Sequence, residues 1–220
     1  MGRRFLITGT GARVGKTTVG CALAFAFKAR GMRVGVMKPC ETGCAVVDGI
    51  LEPGADARAL AFAAASATPL DVINPYRYRS PLAPPLAAVA DGLPEPDLEH
   101  IARCYREIAA QADTVIVEGW GALDSALTTS NGGRDFADLA AMLDLEVVAV
   151  AATTAGYRAA TARVLDYAKI RGLKLAGYIL CDVDPPTSSG AADVKESDAR
   201  LLGRMRYREP LAKSIVEKLL

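Results

Sequence analysis

The segment from residue 9 to residue 18 combines glycines, one lysine and threonines at a spacing that suits phosphate chemistry. Gly15, Lys16 and Thr17 follow an apolar run and precede a helical pattern. In that context, backbone N–H groups and a helix N-terminus converge on phosphate, while the lysine bridges the outer phosphates and the threonine hydroxyl ligates magnesium. Thr10 stands where the common pattern has its first glycine. The segment therefore predicts a site for ATP and Mg2+ formed by Gly11, Ala12, Arg13, Val14, Gly15, Lys16, Thr17 and Thr18.

Three further charged residues occupy positions from which they could reach this loop. Lys38 follows the second apolar run, although a solvated lysine at the rim of a sheet is an alternative. Glu118 follows the third run, where a carboxylate could hold magnesium directly or through water. Asp56 opens a helix after a turn, and a helix cap explains an aspartate there equally well. The residues alone leave the role of Asp56 open.

Apolar runs alternate with helical patterns along most of the chain. Short continuous apolar runs predict buried strands, and apolar residues at helical spacing predict helices between them. This alternation predicts an α/β fold of the P-loop NTPase type, a doubly wound and mostly parallel sheet with helices on both faces. In such sheets, ligands bind at the carboxyl ends of the strands. The predicted strands are 5–8, 33–37, 114–117, 146–150 and 175–180, and the main predicted helices are 17–30, 98–111, 135–143 and 157–171.

The composition limits the class of protein. The 220 residues suffice for one α/β domain, so we expect a single domain over residues 1–220. With 26 basic and 25 acidic side chains, the chain has no electrostatic reason to bind nucleic acid or an anionic membrane. It has no apolar run near the roughly 18 residues of a membrane span. Five cysteines without paired spacings suggest reduced thiols, and we expect a cytoplasmic protein.

Two further segments carry structural expectations. Residues 68–96 hold seven of the 12 prolines, which predicts a long functional loop within the domain. Residues 211–220 have mixed charges and are typical of a helix that docks on the domain, or of a site for a partner.

Motifs distributed over roughly residues 4–185 resemble, in order, those of the dethiobiotin synthetase family. Its phosphate loop is similar to Thr8-Gly9-Thr10 with Val14-Gly15-Lys16-Thr17, and its lysine loop to Lys38-Pro39 with Thr42-Gly43. Further matches are Asp56-Ala57, Asn74-Pro75-Tyr76, Ser80-Pro81, Val117-Glu118-Gly119, Phe136-Ala137-Asp138 and Asp182-Val183.

The resemblance implies a homodimeric enzyme that makes dethiobiotin from 7,8-diaminopelargonate, CO2 and ATP. It implies that Lys16, Lys38 and Thr17 are catalytic, and that Thr17, Asp56 and Glu118 bind Mg2+. It further implies that the ATP site includes Glu118, Cys181 and Asp182 besides the loop, and that the substrate site includes Thr10, Lys38, Thr42 and Gly121.

This sequence departs from the family mainly on the substrate side. Where the family has Glu-Gly-Ala-Gly-Gly, this chain has Glu118-Gly119-Trp120-Gly121-Ala122. The family's Gly-x-x-Asn-His is replaced by residues 156–160, Gly-Tyr-Arg-Ala-Ala, and its Ser-Pro-His lacks the histidine here. Its Asn-Asp is Cys181-Asp182. These losses leave open a related ATP-dependent ligase that acts on another small substrate.

A regulatory ATPase of the ParA/MinD type is a more distant alternative. Proteins of that type carry an extra lysine in the phosphate loop, at the position of Gly11 in this chain. Arg13 is also in the loop but does not replace that lysine by position.

Overall fold

Parallel strands form the centre of the computed structural model, which describes residues 2–183 and 200–220. The central sheet has six strands in the order β12-β11-β10-β1-β7-β2, and each neighbouring pair is parallel. Three two-stranded sheets, β3-β6, β4-β5 and β8-β9, lie outside it. The strands of the described residues are β1 (Arg4–Gly9), β2 (Val34–Met37), β3 (Cys40–Thr42), β4 (Val46–Val47), β5 (Ile50–Leu51), β6 (Tyr76–Tyr78), β7 (Thr114–Ala122), β8 (Ala126–Thr128), β9 (Arg134–Asp135), β10 (Glu146–Ala152), β11 (Leu175–Cys181) and β12 (Leu201–Met205).

Helices cover both faces of the central sheet. Along β1, Phe5 and Ile7 pack into one apolar cluster, while Leu6 packs into the cluster on the opposite face. This alternation follows from the twofold period of a strand, and it requires apolar cover on both sides. The helices are α1 (Lys16–Lys28), α2 (Ala55–Ala64), α3 (Leu70–Ile73), α4 (Pro84–Asp91), α5 (Leu98–Ala110), α6 (Phe136–Met142), α7 (Tyr157–Ile170) and α8 (Lys213–Lys218), with a 3-10 turn at Ser130–Gly132.

The doubly wound, parallel architecture expected from the sequence is confirmed. Helices α1, α2, α3 and α8 contribute to the cluster with Phe5, and α4 to α7 contribute to the cluster with Leu6. All five predicted strands and all four main predicted helices are present, with ends that differ by a few residues. Strand β12, which extends the sheet beyond β11, was not predicted from the sequence.

The prediction of a loop over residues 68–96 was wrong in detail. This segment contains α3, β6 and α4, and the strand pairs with β3. Helix α4 begins with Pro84 and Pro85, where the missing N–H and the fixed φ of proline are compatible with a first turn. The high proline content therefore marked helix starts as well as turns.

The C-terminal residues pack on the domain as a helix, which is one of the two possibilities predicted from the sequence for residues 211–220. Helix α8 buries Ile215 and Val216, and Leu219 just beyond it is also buried. These side chains join the cluster that contains β12 and α1. Among the helices of the described residues, none has the length and apolarity needed to cross a bilayer.

Candidate nucleotide and magnesium site

The loop between β1 and α1 leaves the N-terminus of α1 open for an anion. Gly15 is the N-cap residue, and no side chain caps the helix. Uncapped N–H groups at the start of a 13-residue helix are suited to bind phosphate. Gly15 has φ +96°, and a Cβ there would lie 2.4 Å from the Cys181 sulfur, so the loop requires glycine at this position.

The ammonium group of Lys16 lies against the loop that it follows. Its Nζ donates to the Gly11 carbonyl oxygen over 2.8 Å, and the side chain is largely buried. Burial lowers the pKa of Lys16, the nearby Lys38 lowers it further, and the result is about 8. Glu118 and Asp56 oppose this decrease, and a bound polyphosphate would raise the pKa further and favour the charged form.

Lys38 lies between two carboxylates beneath the loop. Its Nζ is 2.5 Å from Glu118 Oε1 and 3.0 Å from Asp56 Oδ2. The side chains of Lys38 and Glu118 are 3% and 0% exposed, so the rim position considered from the sequence is wrong. Asp56 is 40% exposed and faces the cavity. Its alternative role as a helix cap is also wrong, because the N-cap of α2 is Gly54.

The pKa values in this cluster reflect burial and ion pairing. Burial alone would lower the pKa of Lys38, but Glu118 and Asp56 outweigh it and raise the pKa above its ordinary value. Burial raises the pKa of Glu118, and Lys38 opposes that rise. Burial would also raise the pKa of Asp56, but Lys38 holds it below its usual range. The cluster therefore keeps its charges mainly through mutual pairing.

Thr17 completes a set of oxygen donors that fits a magnesium ion. Its hydroxyl donates to Glu118 Oε1 over 2.9 Å, and its proximity also helps to lower the pKa of Asp56. The second carboxylate oxygen of Glu118, Oε2, is buried and has no hydrogen-bond partner among the described residues. An orphaned buried carboxylate oxygen beside a hydroxyl and a second carboxylate matches the hard oxygen ligands of Mg2+.

Glu41 fixes the position of the helix that carries Asp56. Its two carboxylate oxygens accept from the backbone N–H groups of Asp56 and Ala57 over 2.9 and 3.0 Å. Gly54 leaves room for this contact, because a Cβ there would lie 1.8 Å from the Glu41 carboxyl carbon. Glu41 was not predicted as a site residue, and the signal for it in the sequence is its position three residues after Lys38.

A cavity of about 550 Å³ lies above this cluster at the carboxyl ends of the strands. Of the predicted site residues, those that line it are Arg13, Gly15, Lys16, Thr17, Thr18, Asp56, Glu118, Cys181 and Asp182. The cavity is also lined by Val183, which the sequence marked only as part of a family motif, and by the segment 205–208, which was not predicted. The short pattern Leu-Leu-Gly-Arg-Met at 201–205 was the available signal, since residues after each strand end border the ligand site.

Two predicted nucleotide residues are already engaged with the protein. Cys181 is buried beneath Gly15. The Asp182 carboxylate accepts from the Thr153 hydroxyl over 2.5 Å and from Arg204 Nε over 2.9 Å. Asp182 thus ties the ends of β10, β11 and β12 together at the far wall of the cavity.

None of the four predicted substrate residues is among the described residues that line this cavity. Lys38 itself does not line the cavity, but its ion-pair partners Asp56 and Glu118 do. Thr10 pairs with Ala122 and lines a smaller hollow of about 140 Å³. Thr42, at the end of β3, accepts a hydrogen bond from the indole N–H of Trp120 over 3.0 Å. Gly121 follows Trp120 with φ +63°.

The parallel sheet, the loop at the end of β1 and the lysine that follows this loop define a P-loop nucleotide-binding protein of the α/β class. A solved structure with this fold is a nucleotide-binding protein in complex with ADP from Archaeoglobus fulgidus, with 12% identity, a TM-score of 0.50 and coverage of 99% of this chain and 85% of that chain. At that identity, the likeness concerns the fold alone.

Comparison of sequences is more specific. A family model described as an AAA domain matches residues 3–214. The ATP-dependent dethiobiotin synthetase BioD of Anaeromyxobacter dehalogenans strain 2CP-C is 38% identical over 214 residues, which cover 96% of this chain and 88% of the relative. The protein of the same name from Anaeromyxobacter sp. strain K is 37% identical over the same shares. The chain belongs to the dethiobiotin synthetase family, and these relatives do not favour the related ligase or the ParA/MinD-like ATPase.

Proposed function

We propose that the protein is an ATP- and Mg2+-dependent dethiobiotin synthetase, a ligase that closes a cyclic urea from 7,8-diaminopelargonate and CO2. The observation that carries the proposal is the convergence of Lys16, Thr17, Lys38, Asp56 and Glu118 around the uncapped N-terminus of α1. These residues come from four separate segments of the sequence. They supply the positive charges and metal ligands that phosphoryl transfer needs.

The reaction develops negative charge on oxygen at each step. One amine of the substrate attacks CO2, loses a proton and becomes a carbamate. A carbamate oxygen attacks the γ-phosphorus of ATP, and the bond from phosphorus to the bridging oxygen breaks to release ADP. The second amine then attacks the carbonyl carbon of the mixed anhydride, phosphate leaves and the urea ring closes. We therefore expect catalysis to come mainly from preorganised cations that stabilise the negative charge on these oxygens.

Each residue of the cluster has a role in this scheme. The N–H groups at the start of α1 and Lys16 bind and orient the β- and γ-phosphates. Lys38 neutralises charge on the carbamate and on the transferred phosphoryl group. Thr17, Asp56 and Glu118 would hold Mg2+, which when bound neutralises phosphate oxygens. Thr10, Thr42 and Gly121 are proposed to border the diamine.

The function is tested by incubating the purified protein with ATP, Mg2+, 13C-labelled bicarbonate and 7,8-diaminopelargonate. We expect ADP, phosphate and dethiobiotin in equal amounts, with one labelled carbon in each product molecule. Lys16→Ala is the matched control, and it should abolish product formation while the fold is retained. Absence of dethiobiotin from wild-type protein that demonstrably binds ATP would refute the proposed substrate.

The enzyme is further proposed to be one domain that works as a homodimer. Leu86 and Val89 are exposed apolar side chains three residues apart on α4, and Leu82 and Leu93 are exposed just outside its two ends. A net charge of +1 offers little repulsion between two copies. Light scattering should give a molar mass twice that of one chain, and the Val89→Lys variant should have the mass of a single chain. The cytoplasmic location expected from the sequence stays a prediction.

A further inference from the structure

Trp120 connects the two segments that carry the lysine and the buried carboxylate of the site. It lies on β7 two residues beyond Glu118, and its indole N–H donates to the hydroxyl of Thr42, four residues beyond Lys38. The carbonyl oxygen of Gly119, the residue before Trp120, is 3.5 Å from Lys38 Nζ. The indole therefore links the strand that carries Glu118 to the segment that carries Lys38, and it reaches a proposed substrate residue.

The position of the indole is fixed by packing as well as by this hydrogen bond. Trp120 is half-buried and packs against the apolar cluster that contains Leu6. A ring that is held by apolar contacts on one side presents its N–H in one direction. Thr42 itself is half-buried at the end of a short strand, in the segment that also carries Lys38.

The direction of this hydrogen bond determines what Thr42 can offer to a ligand. An indole N–H only donates, whereas a threonine hydroxyl donates once and accepts through two lone pairs. Trp120 uses one lone pair of the Thr42 oxygen. No acceptor among the described residues takes the hydroxyl hydrogen, so the hydrogen remains available to an oxygen of a ligand.

We propose that Trp120 is a positioning residue that orients the Thr42 hydroxyl to donate to an oxygen of the substrate's carbamate. The role rests on the proposed function, because the carbamate is the species that brings an oxygen acceptor next to Lys38. This role would explain why the chain has Trp120 at the position where the family has alanine. Trp120 acts through Thr42, and it exchanges no proton with the reacting atoms.

The test is a double-mutant cycle on the Michaelis constant for the diamine. Trp120→Phe keeps an aromatic ring but removes the donor, and we expect the KM for the diamine to rise about fivefold, as for the loss of one hydrogen bond. Thr42→Val should raise this KM at least as much, and Thr42→Ser should restore it. The double variant Trp120→Phe/Thr42→Val should match Thr42→Val alone, because Trp120 acts through that hydroxyl. Tyr105→Phe, which alters an aromatic hydroxyl beside Arg4, is the control and should change nothing.

A purely structural role would give different results. If Trp120→Phe raised the KM for ATP as much as that for the diamine, or if the two single effects were additive, the proposal would be overturned. Absence of dethiobiotin from wild-type protein that binds ATP would instead overturn the proposed function and this role with it.

A spectroscopic measurement covers the case in which the variants fold poorly. Trp120 is the single tryptophan of the chain, so tryptophan fluorescence, excited where the seven tyrosines do not absorb, reports on this position alone. Addition of the diamine and bicarbonate to wild-type protein with an inert ATP analogue should change the emission, and either component alone should change it less. An emission that stays constant while catalytic turnover is intact would contradict the proposal.

Discussion

The carboxylate of Glu41 accepts the backbone N–H of Asp56 over 2.9 Å, so a residue of the lysine loop holds the helix that carries a proposed metal ligand. Lys38, three residues before Glu41, reaches the side chain of the same aspartate over 3.0 Å. One short segment thus contacts both the main chain and the side chain of Asp56. The spacing between the proposed phosphoryl-transfer lysine and the metal site is therefore set by two contacts.

Glu41→Ala should loosen the start of α2. It leaves the N–H groups of Asp56 and Ala57 without their buried acceptors, which costs about 1–3 kcal/mol in the free energy of unfolding. Mg2+–ATP should bind more weakly, because Asp56 is no longer held. Urea unfolding and a calorimetric titration measure the two effects. Glu41→Gln keeps one oxygen acceptor and should fall between wild type and Glu41→Ala; unchanged binding in both variants would contradict the role of Glu41.

Gly54→Ala should disturb the same contact, between the Glu41 carboxylate and the start of α2, by adding a methyl group on the helix side. Its Cβ would lie within 2.2 Å of the three carboxyl atoms of Glu41, so the carboxylate must move. We expect destabilisation close to that of Glu41→Ala. In the Glu41→Ala background the same substitution should cost little, because the clashing group is gone. Urea unfolding of the four proteins checks this, and an equal cost in both backgrounds would place the clash elsewhere.

Lys38→Met should turn the cluster into a site with excess negative charge. The substitution leaves Glu118 buried without its cation, which costs about 3–5 kcal/mol in stability. Mg2+ should then raise the Tm of the variant more than that of wild type, because the ion replaces the missing positive charge. Thermal unfolding with and without Mg2+ is the measurement. Lys16→Met, which leaves this ion pair intact, serves as the control and should show no such gain.

The sequence predicted the fold well, and it predicted most of the residues that line the main cavity, because both depend on local patterns. Buried parallel strands are continuous apolar runs, and the loop before Lys16 has its own glycine spacing. Contacts between distant segments were not accessible in this way. The pairing of Glu41 with the start of α2 depends on the space left by Gly54, and the bond from Trp120 to Thr42 joins residues 78 positions apart. Strand β12 was missed because it is short and contains Gly203 and Arg204.

Glu95, which accepts hydrogen bonds from the loop after β8, is expected to make the free energy of unfolding decrease at acidic pH. Partial burial would raise the pKa of Glu95, but hydrogen bonds from Thr128, Thr129 and Ser130 outweigh it and lower the pKa to about 2. In the unfolded chain a glutamate has a pKa of about 4.3. Because the folded pKa is the lower one, Glu95 contributes stability above about pH 4.3, and this contribution is lost as the pH falls toward 2.

Glu95→Gln should therefore lower the free energy of unfolding at pH 7 and remove part of its decrease on acidification. The quantity to measure is the difference between wild type and variant, obtained by urea unfolding at pH values between 7 and 3, because other carboxyl groups titrate alike in both proteins. That difference should shrink as the pH falls. Glu99→Gln, on the exposed first turn of α5, is the matched control. A difference for Glu95→Gln that stays constant from pH 7 to pH 3 would mean that the hydrogen bonds around Glu95 do not depend on its charge.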